Sequence, residues 1–187
     1  TQREAARVLR RAALEFDGLG EACLPSVLQE KQQIVRKAGI LEFCTPGVGP
    51  DDVGGLENLK TWFQARREAF SPRGLRFGLS TPKGVVLVGV PGCGKSLSAK
   101  ALAQAWGTPL LRLDMGRIRG SRLGESEARL RSALQTAEVA SPCILWIDEL
   151  EKAFAGMDQA LDSGVSQRLF GSFLSWLEER QAPVFVV

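Results

Sequence analysis

The chain has 187 residues, 44% hydrophobic and 24% charged, with a net charge of +3. That is room for one domain plus a small appendage, and too little charge to argue for nucleic acid or a membrane surface. No apolar run approaches the ~20 residues that span a bilayer, and without histidine or a C-x-x-C pair the usual zinc sites and Ser/His or Cys/His catalysis are excluded.

The opening segment is polar and Arg-rich rather than a signal peptide. It does not start with Met, which reads as a piece of a longer protein. Ala5, Ala6, Leu9, Ala12, Ala13 and Phe16 recur at helical spacing, which predicts a helix over 1–16. Arg3, Arg7, Arg10 and Arg11 read as its solvated face rather than an anion-binding patch. A second helix is expected near 26–38, closed by Gly39. Helices this short need a packing partner. Residues 1–43 thus form a helical N-terminal region, and the Pro/Gly-rich stretch 44–50 a linker.

From 51 onward the pattern changes. A helix is expected from about Leu56 to Phe70, then a loop over 71–82 with two Pro and two Gly. Strands are expected near 84–89, 109–113, 143–148 and 183–187, and helices near 95–106, 125–140 and 164–180. Alternating strands and helices imply an α/β fold with a parallel sheet covered on both faces. Glu125 and Glu127 suit the first turn of their helix, where the dipole favours carboxylates. Cys143 opens a buried strand and reads as a small core residue, and the scattered thiols suit a reducing compartment.

Two motifs carry chemistry. Gly89-Val90-Pro91-Gly92-Cys93-Gly94-Lys95-Ser96 fits G-x-x-x-x-G-K-[ST], after the apolar run Val85–Val88 and before a helix. That strand–loop–helix context points to nucleoside triphosphate binding. Glycines let the backbone approach closely, and the freed N–H groups at the helix N-terminus cradle phosphate oxygens. Lys95 supplies charge to the β/γ-phosphates, and the Ser96 hydroxyl is a Mg²⁺ ligand. The second motif is Ile144-Leu145-Trp146-Ile147-Asp148-Glu149, a buried-strand run ending in two carboxylates. In parallel sheets ligands bind beyond the carboxyl ends of the strands. Asp148 is then the second Mg²⁺ partner, through water, and Glu149 orients or deprotonates the attacking water. Cys93, a thiol at a helix N-terminus, is a candidate for oxidation that blocks phosphate binding.

Asp52-Val53-Gly54-Gly55, Pro82-Lys83-Gly84, the phosphate loop, Gly124-Glu125-Ser126-Glu127, Ser141-Pro142-Cys143 and Asp148-Glu149 stand in the order seen in AAA ATPases. The chain resembles that family over nearly its whole length. Through Gln29–Phe43, Leu110–Asp114 and Leu145–Glu149 it resembles the hypothetical chloroplast reading-frame AAA proteins of cyanobacteria and plastids. The resemblance implies a P-loop three-layer sandwich (the ATPase large subdomain, here 51–187, with a five-stranded parallel sheet). It implies ATP and Mg²⁺, self-association into a ring, usually a hexamer, and remodelling or regulation of a protein partner in the cytoplasm or plastid stroma. By motif match Val53 and Gly54 border the adenine, and Val90, Pro91, Gly92, Cys93, Gly94, Lys95, Ser96 and Leu97 hold the nucleotide. The loop around Arg122-Leu123-Gly124 faces the central pore.

Three departures stand out. Arg122-Leu123 replace the aromatic that many remodelling members use to grip polypeptide. Arg117, Arg119 and Arg122 make that segment basic, for pairing with acidic residues of neighbouring subunits. Cys93 stands where Thr is commonest, and Glu151 where Asp is frequent. The family's sensor residue, arginine fingers and helical lid lie beyond Val187. The resemblance therefore implies a piece that binds nucleotide but turns it over slowly, since a missing arginine finger removes on the order of 10³-fold in rate. A nucleotide-gated assembly module with little hydrolysis is the competing reading.

Overall fold

The computed structural model describes residues 10, 29, 31–33, 35–36, 39–45, 47–118, 124–148, 150 and 164–187. The expected helix over 1–16 therefore lies outside the described residues except Arg10, and Glu149, Glu151 and Arg119 to Leu123 lie outside them too.

Among the described residues four strands form one sheet in the order β1 (Leu41–Cys44), β2 (Leu110–Asp114), β3 (Cys143–Asp148), β4 (Val184–Val186). β2, β3 and β4 run parallel, while β1 pairs with β2 antiparallel. The sheet is thus mixed rather than wholly parallel. β1 falls where the sequence reads as the end of a helical region and the start of a linker. Its Leu41 and Phe43 pack on the core, so burial outweighs the weak signal of a four-residue run. Just before it, Lys31–Gln33, Val35 and Arg36 are helical. Lys31 Nζ donates to the Ala140 and Ser141 carbonyl oxygens, at 3.3 and 3.5 Å.

Strand alternation sorts the core into two clusters. On one face Leu111, Leu113, Cys143, Leu145, Ile147 and Val184 meet α5 (Glu125–Val139) and α6 (Val165–Glu179). The Trp176 indole N–H ties these two helices together by donating to Glu138 Oε1 at 2.8 Å. On the other face Leu110, Ile144, Trp146 and Phe185 meet α1 (Glu57–Arg67) and α3 (Lys95–Trp106). Trp106 anchors that layer. Its ring lies 4.9 Å from those of Phe70 and Phe185, and its N–H donates to the Phe63 carbonyl at 3.1 Å. The result is the expected three-layer α/β architecture. A five-residue helix, α2 (Pro72–Arg76), interrupts the expected loop 71–82, and α4 (Met115–Ile118) follows β2.

Residues 84–89, read as a strand, are not one here. Gly84 makes a single parallel bridge to Val186, with Val85 N–H donating to the Val186 carbonyl at 2.8 Å. Val86 and Val88 are 76% and 92% exposed.

Candidate functional site

The loop Gly89–Gly94 leaves this unladdered segment and feeds straight into α3. Gly92 and Gly94 sit at φ +84° and +90°, the left-handed region that costs glycine little. A turn is closed by Cys93 N–H donating to the Val90 carbonyl at 3.3 Å. Gly94 is the N-cap of α3 and has no side chain to offer its first N–H groups; no acidic residue lies in the first turn either. α5, by contrast, carries Glu125 and Glu127 there. The positive end of α3 therefore has no carboxylate in its own first turn, and its first N–H groups suit an anion.

Lys95 is half-buried and folds back on the loop. Its Nζ donates to the Gly89 and Val90 carbonyl oxygens at 2.6 and 2.9 Å. Ser96 is half-buried behind it, and Val90, Pro91, Gly92, Cys93 and Leu97 are exposed. A β-carbon on Gly89 would come within 2.7 Å of Cys93 Sγ, so the bare backbone at Gly89 makes room for the thiol.

Val53 is placed by a 3-10 turn, Pro50–Asp52, whose Asp52 carboxylate accepts the Gly49 N–H at 2.7 Å. Val53 is buried and Gly54 exposed. Val53, Leu56, Phe63, Ser98, Ala101 and Trp106 line a cavity of about 310 Å³ between α1 and α3. The cavity passes Ser98 but is not lined by the phosphate loop itself.

Asp148 ends β3, its side chain half-buried, beside Asp114 at the end of β2. Its partner is Arg112, whose Nη2 lies 3.2 Å from Oδ2. Among the described residues no hydrogen bond or ion pair joins Lys95 or Ser96 to Asp148. The fold brings Val53 and α3 to one cavity, and Asp148 to the carboxyl edge of the sheet. The sequence reading did not single out Arg112. Its signal was an arginine inside Leu110-Leu111-Arg112-Leu113, but its partner depends on strand register.

The donor set fits the expected ligands. Ser96 and Asp148 offer the hard oxygens that Mg²⁺ prefers, and a P-loop needs few protein ligands because phosphates and water supply the rest.

The family described as "ATPase family associated with various cellular activities (AAA)" matches residues 85–187. The AAA domain-containing protein ycf46 of Guillardia theta is 49% identical over 97% of this chain and 36% of its own length. The ycf46 protein of Pyropia yezoensis is 46% identical over 97% of this chain and 37% of its own. The human ATPase family gene 2 protein homolog A is 32% identical over 86% of this chain and 19% of its own. The chain spans little more than a third of the length of the ycf46 relatives. It belongs to the AAA family.

Proposed function

We propose that this chain binds ATP with Mg²⁺ at Gly89–Leu97 and, in the full-length oligomer, hydrolyses it to ADP and phosphate. The observation that carries this reading is the start of α3. A left-handed glycine loop feeds a 12-residue helix whose first turn holds neither an acidic side chain nor a side-chain cap. Such a terminus stabilises an anion by its free N–H groups and its dipole. Lys95 exchanges its two loop carbonyls for phosphate oxygens when the nucleotide arrives. Val53 and Gly54 border the base, and Leu97 covers it. Ser96, and Asp148 through water, would hold the metal, which would supply positive charge to the nucleotide's phosphates. Glu149 orients or deprotonates the attacking water. The turnover drives remodelling or regulation of a protein partner by a ring, a hexamer on the family pattern.

The test is binding of a fluorescent ATP analogue, then hydrolysis by the full-length protein across protein concentrations. Lys95→Ala should abolish binding. Glu149→Gln should keep binding and lose turnover, and the wild-type rate per subunit should rise with concentration. Binding that survives Lys95→Ala would remove the phosphate-loop assignment. A flat, near-zero rate with intact binding would replace the motor by a nucleotide-gated assembly module.

A further inference from the structure

Arg112 is a charged residue in the middle of β2, between the buried Leu111 and Leu113. Strand register explains its reach. It lies opposite Glu42 on β1 and opposite Trp146 on β3. Side chains alternate faces along a strand, so Asp148, two residues past Trp146, shares that face. The guanidinium spans the row. Its Nη2 is 3.2 Å from Asp148 Oδ2, its Nη1 is 3.7 Å from Glu42 Oε2, and its carbon lies 5.1 Å from the Trp146 ring centre. The row continues, because Arg117 reaches the other Glu42 oxygen at 2.5 Å and Asp114 Oδ2 at 3.4 Å. Arg112 Nε is buried with no hydrogen-bond partner among the described residues. Both terminal nitrogens are thus turned to carboxylates, one on each side, while Nε stays unsatisfied.

We propose that Arg112 is a positioning residue for Asp148, and that Glu42 is the counter-charge that lets it act as one. The inference rests on the reading of Asp148 as the Mg²⁺ partner. A lone guanidinium beside that carboxylate would fix its direction but would also oppose a divalent cation approaching it. Glu42, directly across the strand, offsets that charge. The row contains three carboxylates and two guanidiniums, so it remains one charge negative overall. The ion pair engages Oδ2 and not Oδ1. Groups that orient a metal-binding carboxylate typically change metal affinity by ~10- to 100-fold when removed. Through Glu42, the edge strand next to the N-terminal region becomes part of the metal end of the site.

The experiment measures the Kd of a fluorescent ATP analogue for the full chain, in EDTA and at stepped free Mg²⁺. Arg112→Leu is expected to lower the Mg²⁺ dependence by about tenfold and leave the EDTA value unchanged. Arg112→Lys, which keeps the charge but not the fork, should fall between. Glu42→Gln should weaken Mg²⁺ dependence a few-fold, and adding it to Arg112→Leu should cost nothing more. A merely structural Arg112 would shift the EDTA and Mg²⁺ values together, and that result overturns the proposal. If Arg112→Leu does not fold, Glu42→Gln decides: an unchanged Mg²⁺ dependence there overturns it. Asp148→Asn separates the two readings. No Mg²⁺ effect in that variant refutes Asp148 as metal partner, whereas an effect there with none in Arg112→Leu refutes only the role of Arg112.

Discussion

Gly89→Ala isolates one steric detail of the phosphate loop. Gly89 does not sit at positive φ, so alanine meets no backbone strain there, and loss of chain entropy in the unfolded state favours it slightly. The new β-carbon would instead meet Cys93 Sγ at 2.7 Å, well inside the ~3.5–4.0 Å optimum for carbon atoms. Overpacking costs ~1–3 kcal/mol. The obstacle here is a short, exposed side chain that can swing aside, so the lower end applies, about 1 kcal/mol. Expressed in the loop's anion-binding geometry, that is about fivefold in the Kd for ATP, with no loss of thermal stability. Cys93→Ala removes the sulfur and leaves only Cβ, 3.9 Å from the added methyl. The double variant should therefore bind within about twofold of Cys93→Ala alone, a coupling that a double-mutant cycle reads directly. Titration of a fluorescent ATP analogue into the four proteins is the assay. A double variant as weak as Gly89→Ala would show that the methyl harms something other than the thiol, and the steric reasoning would be wrong.

Glycine-to-alanine changes elsewhere should differ in sign. At Gly74 the new β-carbon would fall on the Glu68 carbonyl, 2.8 Å from its carbon and closer to its oxygen; rigid backbone cannot swing, so thermal unfolding should show a loss of about 2–3 kcal/mol. At Gly171, inside α6 with nothing within 4 Å, the same change should stabilise by about 0.5–1 kcal/mol. Equal effects at the two positions would contradict the packing described. Burial pushes the Cys143 thiol from 9.0 up to about 12, against the opposing pull of Lys31 and Arg180. The folded pKa is the higher one, so this contribution is whole below pH 9 and is lost as pH rises from 9 toward 12. From pH 8 to 10 the protein should lose about 1.4 kcal/mol more unfolding free energy than Cys143→Ala. Urea titrations at both pH values measure this, and parallel losses would count against a deeply buried thiol.

The glycine turn and helix start over Gly89–Ser96 were legible because their signal is local. The turn glycines and the helix start at Lys95 follow one another along the chain, so spacing alone places them. The runs Cys143–Asp148 and Glu125–Val139 were legible for a similar reason, since burial writes itself into period and length. What the sequence could not decide was pairing. Leu41–Cys44 is too short to announce a strand, and only the apolar face of β2 and α5 recruits it. Val85–Val88 reads as a strand, whereas here the segment is joined to β4 by the Gly84–Val186 bridge. Arg112 is the sharpest case. Its letter is plain in the sequence, but a one-residue slip of β2 would turn it to the opposite face, away from Asp148. Local geometry is encoded by neighbours in the chain, whereas register is settled by which faces are buried together, and that belongs to the tertiary structure.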